Sequence, residues 1–165
     1  MKNNIVLIGM PGAGKSTIGV ILAKMIGKDF IDADLVIQKD EGRLLHQIIE
    51  TEGPDGFLAI EERVNASLNP KSAVIATGGS VVYGPKAMAH LKEIGTVVYL
   101  KLSYETVESR LRDIKGRGVV LRDGQTLKDL YEERTVLYEK YADVTVCEDG
   151  LQVEETLEKT LQALQ

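Results

Sequence analysis

The stretch IVLIGMPGAGKSTIGVILAKMIG, residues 5–27, decides the fold of this chain. Residues 5–9 are an apolar run ending in glycine, the pattern of a strand covered on both faces. After the loop, Ile18, Ile21, Leu22, Met25 and Ile26 fall at i, i+3, i+4, i+7 and i+8, one buried stripe of a helix. Between them, Gly9, Gly14, Lys15 and Ser16 fit the spacing G-x-x-x-x-G-K-[ST]. Such a loop turns backbone N–H groups toward phosphate oxygens, and glycine lets the backbone come close to them. Lys15 then reaches the β- and γ-phosphates, Ser16 binds Mg²⁺, and the helix N-terminus adds its positive end. The expected nucleotide set is Gly12, Ala13, Gly14, Lys15, Ser16 and Thr17.

Working outward, further strands are expected at 29–32, 73–77, 96–101 and 143–147. Helices fit 34–40, 44–50, 55–69, 85–92, 104–113, 126–141 and 151–164. This alternation predicts an α/β fold, a parallel sheet with helices on both faces. In such sheets ligands bind at the carboxyl ends of the strands, so chemistry is sought just after each one.

Composition narrows the partners. The 165 residues carry a net charge of −5, so no overall basic field draws nucleic acid or anionic membrane. No apolar run approaches the roughly 20 residues of a membrane helix, and the N-terminal run is too short for a secretory signal. Cys147 is the single cysteine, which rules out an intrachain disulfide, and a reducing cytoplasm is the expected setting. Nothing demands more than a monomer. Cys147 reads as core, and His46 as a surface or capping histidine.

Three features after strands mark an acceptor side. Asp32 and Asp34 stand at i and i+2, on one side of an extended segment. One can hold Mg²⁺ through water while the other takes a hydroxyl proton; otherwise Asp34 caps a helix beginning at Leu35. Gly78 and Gly79 end a buried strand, as a bare-backbone ligand seat or an ordinary tight turn. Arg134 shares an apolar helical stripe with Leu127, Leu130, Tyr131, Tyr138 and Tyr141. A guanidinium there needs an anion, either an internal carboxylate or a substrate carboxylate held bidentately. A basic, glycine-containing cluster of Arg110, Arg112, Lys115, Arg117 and Arg122 suits a mobile lid or a solvated surface.

The segments GMPGAGKSTIG, FIDADLVI, GFLAIEE, ATGGS and ERTVLYEKYADVTV, in this order over nearly the whole chain, resemble the shikimate kinase family. The resemblance implies one P-loop domain over 1–165, with a five-stranded parallel sheet of order 2-3-1-4-5 between helical layers. It also implies a lid near 110–124 and substrate-binding helices near 34–69. The implied activity is transfer of the γ-phosphoryl of ATP, with Mg²⁺, to a hydroxyl of shikimate. By resemblance, Lys15 steadies the transferring phosphoryl, and Ser16 and Asp32 hold Mg²⁺. Asp34 binds the substrate hydroxyls and orients or deprotonates the nucleophile. Arg134 grips the carboxylate, Arg117 is the lid arginine, and Arg110 lies near the adenine. Gly78, Gly79 and Ser80 complete the substrate side.

The departures from the family pattern also fall on the substrate side. Leu58 stands where the pattern GF-R-x-x-E has arginine, and on a helix it shares a face with Glu61, Glu62 and Asn65. Losing that bidentate contact costs roughly 2–5 kcal/mol of substrate binding. Ser80 replaces a third glycine, and the lid sequence RPLL reads RGVV from Arg117 to Val120. The leading reading is therefore a kinase acting on a small anionic metabolite, with shikimate as the family's acceptor. Alternatives are the same chemistry on homoserine or another small hydroxy acid, and a non-catalytic nucleotide-binding regulator.

Overall fold

The computed structural model describes residues 2–112 and 123–165. Strands β1 (Asn4–Ile8), β2 (Asp29–Asp32), β3 (Ala73–Ala76), β4 (Gly95–Lys101) and β5 (Val144–Cys147) form one sheet. Its order is β2-β3-β1-β4-β5 and every neighbouring pair is parallel, as the resemblance implies. β1 is central, with Ile5 opposite Val74 of β3 on one side and Thr96 of β4 on the other. Its residues Val6, Leu7 and Ile8 are fully buried, as are Val74 and Ile75 of β3 and Val97 and Val98 of β4. Continuous β-branched runs are what a strand needs when helices cover both its faces.

The described helices are α1 (Lys15–Ile26), α2 (Ala33–Glu41), α3 (Leu45–Ser67), α4 (Pro85–Ile94), α5 (Tyr104–Arg112), α6 (Leu127–Tyr141) and α7 (Val153–Ala163). None is long and apolar enough to cross a membrane. In α1 the buried face is Ile18, Gly19, Leu22 and Ala23, while Met25 is exposed, which narrows the expected stripe at its end. A side chain at Gly19 would lie 2.7 Å from the Phe30 ring, so glycine lets α1 sit close against β2.

The helices expected at 44–50 and 55–69 run together as α3, interrupted only at Gly53. Gly53 adopts φ +73°, and Pro54 then opens the second segment, where its missing N–H costs nothing. Beneath α2 and α3 lies a separate small core of Ile37, Ile48, Phe57 and Val64. In α6, Thr126 accepts from the Asp129 N–H while Asp129 accepts from the Thr126 N–H, a reciprocal cap that fixes the helix start. Leu130, Arg134 and Tyr138 are buried along one face of that helix, as the stripe predicts.

Cys147 is exposed rather than core. β5 is an edge strand covered mainly on one face, so Val146 points inward while Thr145 and Cys147 point out.

Candidate active site

The carboxyl ends of β1, β2 and β3 open into a cavity of about 410 Å³, the location the sheet topology predicts. The Gly9–Gly14 loop forms one wall. Gly9 is held at φ +152°, and a side chain there would lie 2.7 Å from the Leu100 carbonyl, so only glycine lets β1 turn against the end of β4. Gly12 and Gly14 follow at φ +87° and +78°, a left-handed geometry that lets successive N–H groups converge on an anion. Ala13 is buried beneath the loop. Lys15 is nearly buried, and its Nζ donates to the carbonyls of Gly9 at 2.6 Å and Met10 at 3.0 Å. Its ammonium therefore lies inside the loop that the phosphates would enter.

Asp32 and Asp34 do not share an extended segment. Asp32 ends β2 and is itself the cap of α2, its Oδ1 accepting from the N–H groups of Asp34 and Leu35. Asp34 lies in the first helical turn, so the expectation that Asp34 caps the helix is corrected. A carboxylate at a helix start is electrostatically favoured, and capping makes that geometry available two residues before the expected point. The division of labour follows directly. Asp32 Oδ2 accepts from Ser16 Oγ at 3.0 Å, while Asp34 faces the cavity.

The Ser16 and Asp32 oxygens are a hard donor pair that fits Mg²⁺. Among the described residues no group of three or more His, Cys, Asp or Glu could hold a metal. An Mg²⁺ held by this pair would take its remaining ligands from water and phosphate, as it commonly does at phosphoryl-transfer sites. The left-handed glycines and the enclosed lysine likewise fit a triphosphate.

Opposite the loop lies the 77–80 turn. Thr77 ties the end of β3 to β1 through its hydroxyl, which donates to the Leu7 carbonyl at 2.7 Å. Gly78 and Gly79 are glycine for want of space, since neither has a positive φ. A side chain on Gly78 would lie 2.8 Å from Asp34 Oδ1 and 2.9 Å from Glu61 Oε2. One on Gly79 would lie 2.7 Å from Pro11 and 2.9 Å from Arg134 Nη1. The bare backbone thus lets two carboxyl groups and a guanidinium close around the cavity. Tyr138 holds the turn from behind, its hydroxyl donating to the Gly79 carbonyl at 2.5 Å. Arg134 is 1% exposed, lines the cavity and stacks over Tyr83 at 5.5 Å.

The expectation for Leu58 meets a different outcome. Leu58 does not line the cavity; half-buried, it packs against the small core under α2 and α3. The face it shares with Glu61 and Asn65 is not solvated, because both of those residues are buried. Arg110 stands outside the acceptor cavity, in a second one of about 260 Å³ behind the loop, where it donates to the Gly12 carbonyl at 2.7 Å. Thr17 and Gly14 line both cavities. Arg117, with Lys115 and Arg122, lies outside the described residues. His46, read as a surface residue, is exposed and also lines the cavity.

Glu61 is the site residue the sequence reading missed. It is 2% exposed, its Oε1 accepts from Ser80 Oγ at 2.5 Å, and its Oε2 has no hydrogen-bond partner among the described residues. Its signal was the spacing Phe57, Glu61, Val64, Leu68, which places a carboxyl on the core face of α3. Burial pushes the Glu61 carboxyl up to about 7, against the opposing pull of Ser80, Arg134 and Lys15. Asp34 adds like-charge repulsion in the same direction as burial.

The consequence for stability has a definite sign. Between the ordinary glutamate range and about pH 7 the folded chain keeps a proton that the unfolded chain has released. Stability contributed at low pH is therefore lost as pH rises through that window, by roughly 3 kcal/mol at most for this group. Urea denaturation of Glu61→Gln is expected to show a shallower loss between pH 5 and about pH 7.5 than the wild type. An unchanged slope would mean that Glu61 ionises normally in the fold.

The family model described as shikimate kinase matches residues 11–165. The shikimate kinase of Thermodesulfovibrio yellowstonii is 38% identical over 161 residues, covering 96% of this chain and 92% of that protein. That of Thiobacillus denitrificans is 40% identical over 149 residues, covering 88% and 81%. A solved structure of shikimate kinase from Acinetobacter baumannii in complex with shikimate superposes with a TM-score of 0.87 at 33% identity, covering 98% of this chain and 92% of that one. Loop, Ser16–Asp32 pair and family match all point the same way: the chain belongs to the shikimate kinase family, ATP- and Mg²⁺-dependent kinases of small molecules.

Proposed function

We propose that this chain transfers the γ-phosphoryl group of ATP to a hydroxyl of shikimate, acting in the cytoplasm. The observation that carries this reading is the pairing of Asp34 and Arg134 across the Gly78–Gly79 turn of one cavity. An acceptor needs a group that takes the hydroxyl proton and an anchor for its carboxylate, and these two side chains supply both. Mg-ATP supplies the phosphoryl group and the metal's charge neutralisation. Asp34 orients the attacking hydroxyl and accepts its proton. Lys15 stabilises negative charge that develops on the transferring group, and Arg134 fixes the acid end so that the hydroxyl stays aligned. Asp32 holds Ser16 in its metal-binding orientation.

A second reading, the same chemistry on a smaller hydroxy acid or hydroxy amino acid such as homoserine, is favoured by one observation. Leu58 occupies the place of the family arginine yet packs into the apolar cluster, leaving Arg134 as the one arginine among the described residues lining the cavity. The retained Lys15, Ser16 and Asp34 constellation and family membership set aside a purely regulatory role.

A coupled assay of ADP release with Mg-ATP, run against shikimate, homoserine and small hydroxy acids, tests the proposal. Saturable turnover with the largest kcat/KM on shikimate is expected. A larger value on another acceptor would overturn shikimate as substrate while leaving the kinase chemistry intact. Leu58→Arg is expected to raise kcat/KM on shikimate by tenfold or more, since a charge-assisted bidentate contact is worth at least about 1.4 kcal/mol. No rise would show that Arg134 alone holds the acid.

A further inference from the structure

Arg134 is held by more than the helix that carries it. Tyr83, half-buried, ends the 3₁₀ turn Val81–Tyr83 that follows the 77–80 turn, and Val81 and Val82 beside it are buried. Those two valines anchor the tyrosine's backbone while its ring reaches α6. Two successive residues of α6 meet it there. The Arg134 guanidinium carbon lies 5.5 Å from the ring centroid, and the Tyr83 hydroxyl donates to Glu133 Oε1 at 2.6 Å. The other carboxylate oxygen of Glu133 accepts from Gln125 Nε2 at 3.4 Å. Burial and the Glu133 carboxylate hold the Tyr83 hydroxyl above the usual tyrosine range, so it stays an uncharged donor. Tyr83 does not line the acceptor cavity, so its influence on an acceptor passes through Arg134.

An arginine side chain loses much rotamer freedom when it is ordered. One that is already held in place therefore binds a carboxylate more tightly than one the acid must order. With Leu58 packed into the small core, no second arginine among the described residues lines the cavity to share the task. The electron-rich face of a tyrosine attracts a cation most strongly where water is scarce, and Arg134 is almost fully buried. We propose that Tyr83, tethered by Glu133, is the positioning residue that holds the Arg134 guanidinium in its carboxylate-binding orientation.

This inference rests on the reading that Arg134 grips the acceptor's carboxylate, and the experiment separates the two. With Mg-ATP, kcat/KM is measured on shikimate and on its methyl ester, which lacks the negative charge, for wild type, Tyr83→Leu, Tyr83→Phe and Glu133→Ala. The ratio of acid over ester is expected to fall about five- to thirtyfold in Tyr83→Leu, while the value on the ester stays within about twofold of wild type. Tyr83→Phe keeps the ring face, and Glu133→Ala, on the exposed side of α6, keeps the whole tyrosine. Each loses only the tether, and the ratio is expected to fall about threefold. An unchanged ratio in Tyr83→Leu would overturn the proposal. Equal losses on acid and ester would do the same, marking a purely structural role. A fall in Tyr83→Phe as large as in Tyr83→Leu would overturn the part given to the ring, and an unchanged ratio in Glu133→Ala the part given to the tether. A wild type that uses acid and ester equally well would overturn the reading of Arg134, and one that uses neither the reading of shikimate as acceptor; the inference falls with either.

Discussion

Lys15→Met is expected to lower kcat by about a thousandfold while the chain still folds. The Lys15 side chain is nearly buried and its ammonium rests on the Gly9 and Met10 carbonyls, inside the loop. Methionine reproduces the length and the apolar stem, so the packing of α1 survives the change. What disappears is a fixed positive charge where negative charge builds during transfer. A single preorganised donor of this kind contributes about 10²–10³ in rate, and a full charge in a water-poor site belongs at the upper end. The measurement is steady-state ADP release at saturating nucleotide, with a thermal melt as the control for folding. A variant that keeps more than a tenth of its kcat would show that Lys15 serves structure rather than transfer.

Arg134→Met should have the second-largest effect, on the acceptor rather than the nucleotide. Arg134 is almost fully buried in the α6 stripe, against Tyr83 and beside the Gly79 backbone. Methionine fills a similar volume on that stripe. Removing a desolvated cation that grips a carboxylate costs about 2–5 kcal/mol, or roughly thirtyfold to several thousandfold in acceptor affinity. The KM for the acid acceptor should rise by that factor, while ADP affinity measured without acceptor stays within about twofold. A parallel loss of ADP binding would place Arg134 in the support of the phosphate loop.

Most of the fold is legible in the sequence because its information is local. The phosphate loop declares one strand, one helix and the turn between them within residues 5–27, and the β-branched runs declare the rest of the sheet. The strand order is not local, and only the family resemblance carried it. Cys147 was misplaced because an edge strand has the same alternation as a covered one, and its neighbours are decided by topology.

The site divides along the same line. Lys15, Ser16, Asp34, Gly78, Gly79 and Arg134 stand out because each violates a bland pattern: a lysine in a glycine loop, paired glycines after a strand, an arginine on an apolar stripe. Asp32 was legible as a carboxylate placed after a strand, but its capping of α2 depends on where β2 ends. Glu61 and Glu148 look like ordinary surface glutamates in a chain with 25 acidic residues. The Phe57, Glu61, Val64, Leu68 spacing hints at the first, but the full burial of both comes from the packing of α3 against the 77–80 turn and of β5 beside the loop, which no short window of sequence contains.

Phosphorus NMR of a mixture of the protein, Mg-ATP and shikimate tests the account most directly. The account predicts a new phosphomonoester resonance that grows in step with ADP, at one ester per ADP, and is absent without shikimate. ADP accompanied only by inorganic phosphate, or ATP left intact by a protein that still binds it, would contradict the assignment of shikimate as the acceptor in the cavity between Asp34 and Arg134.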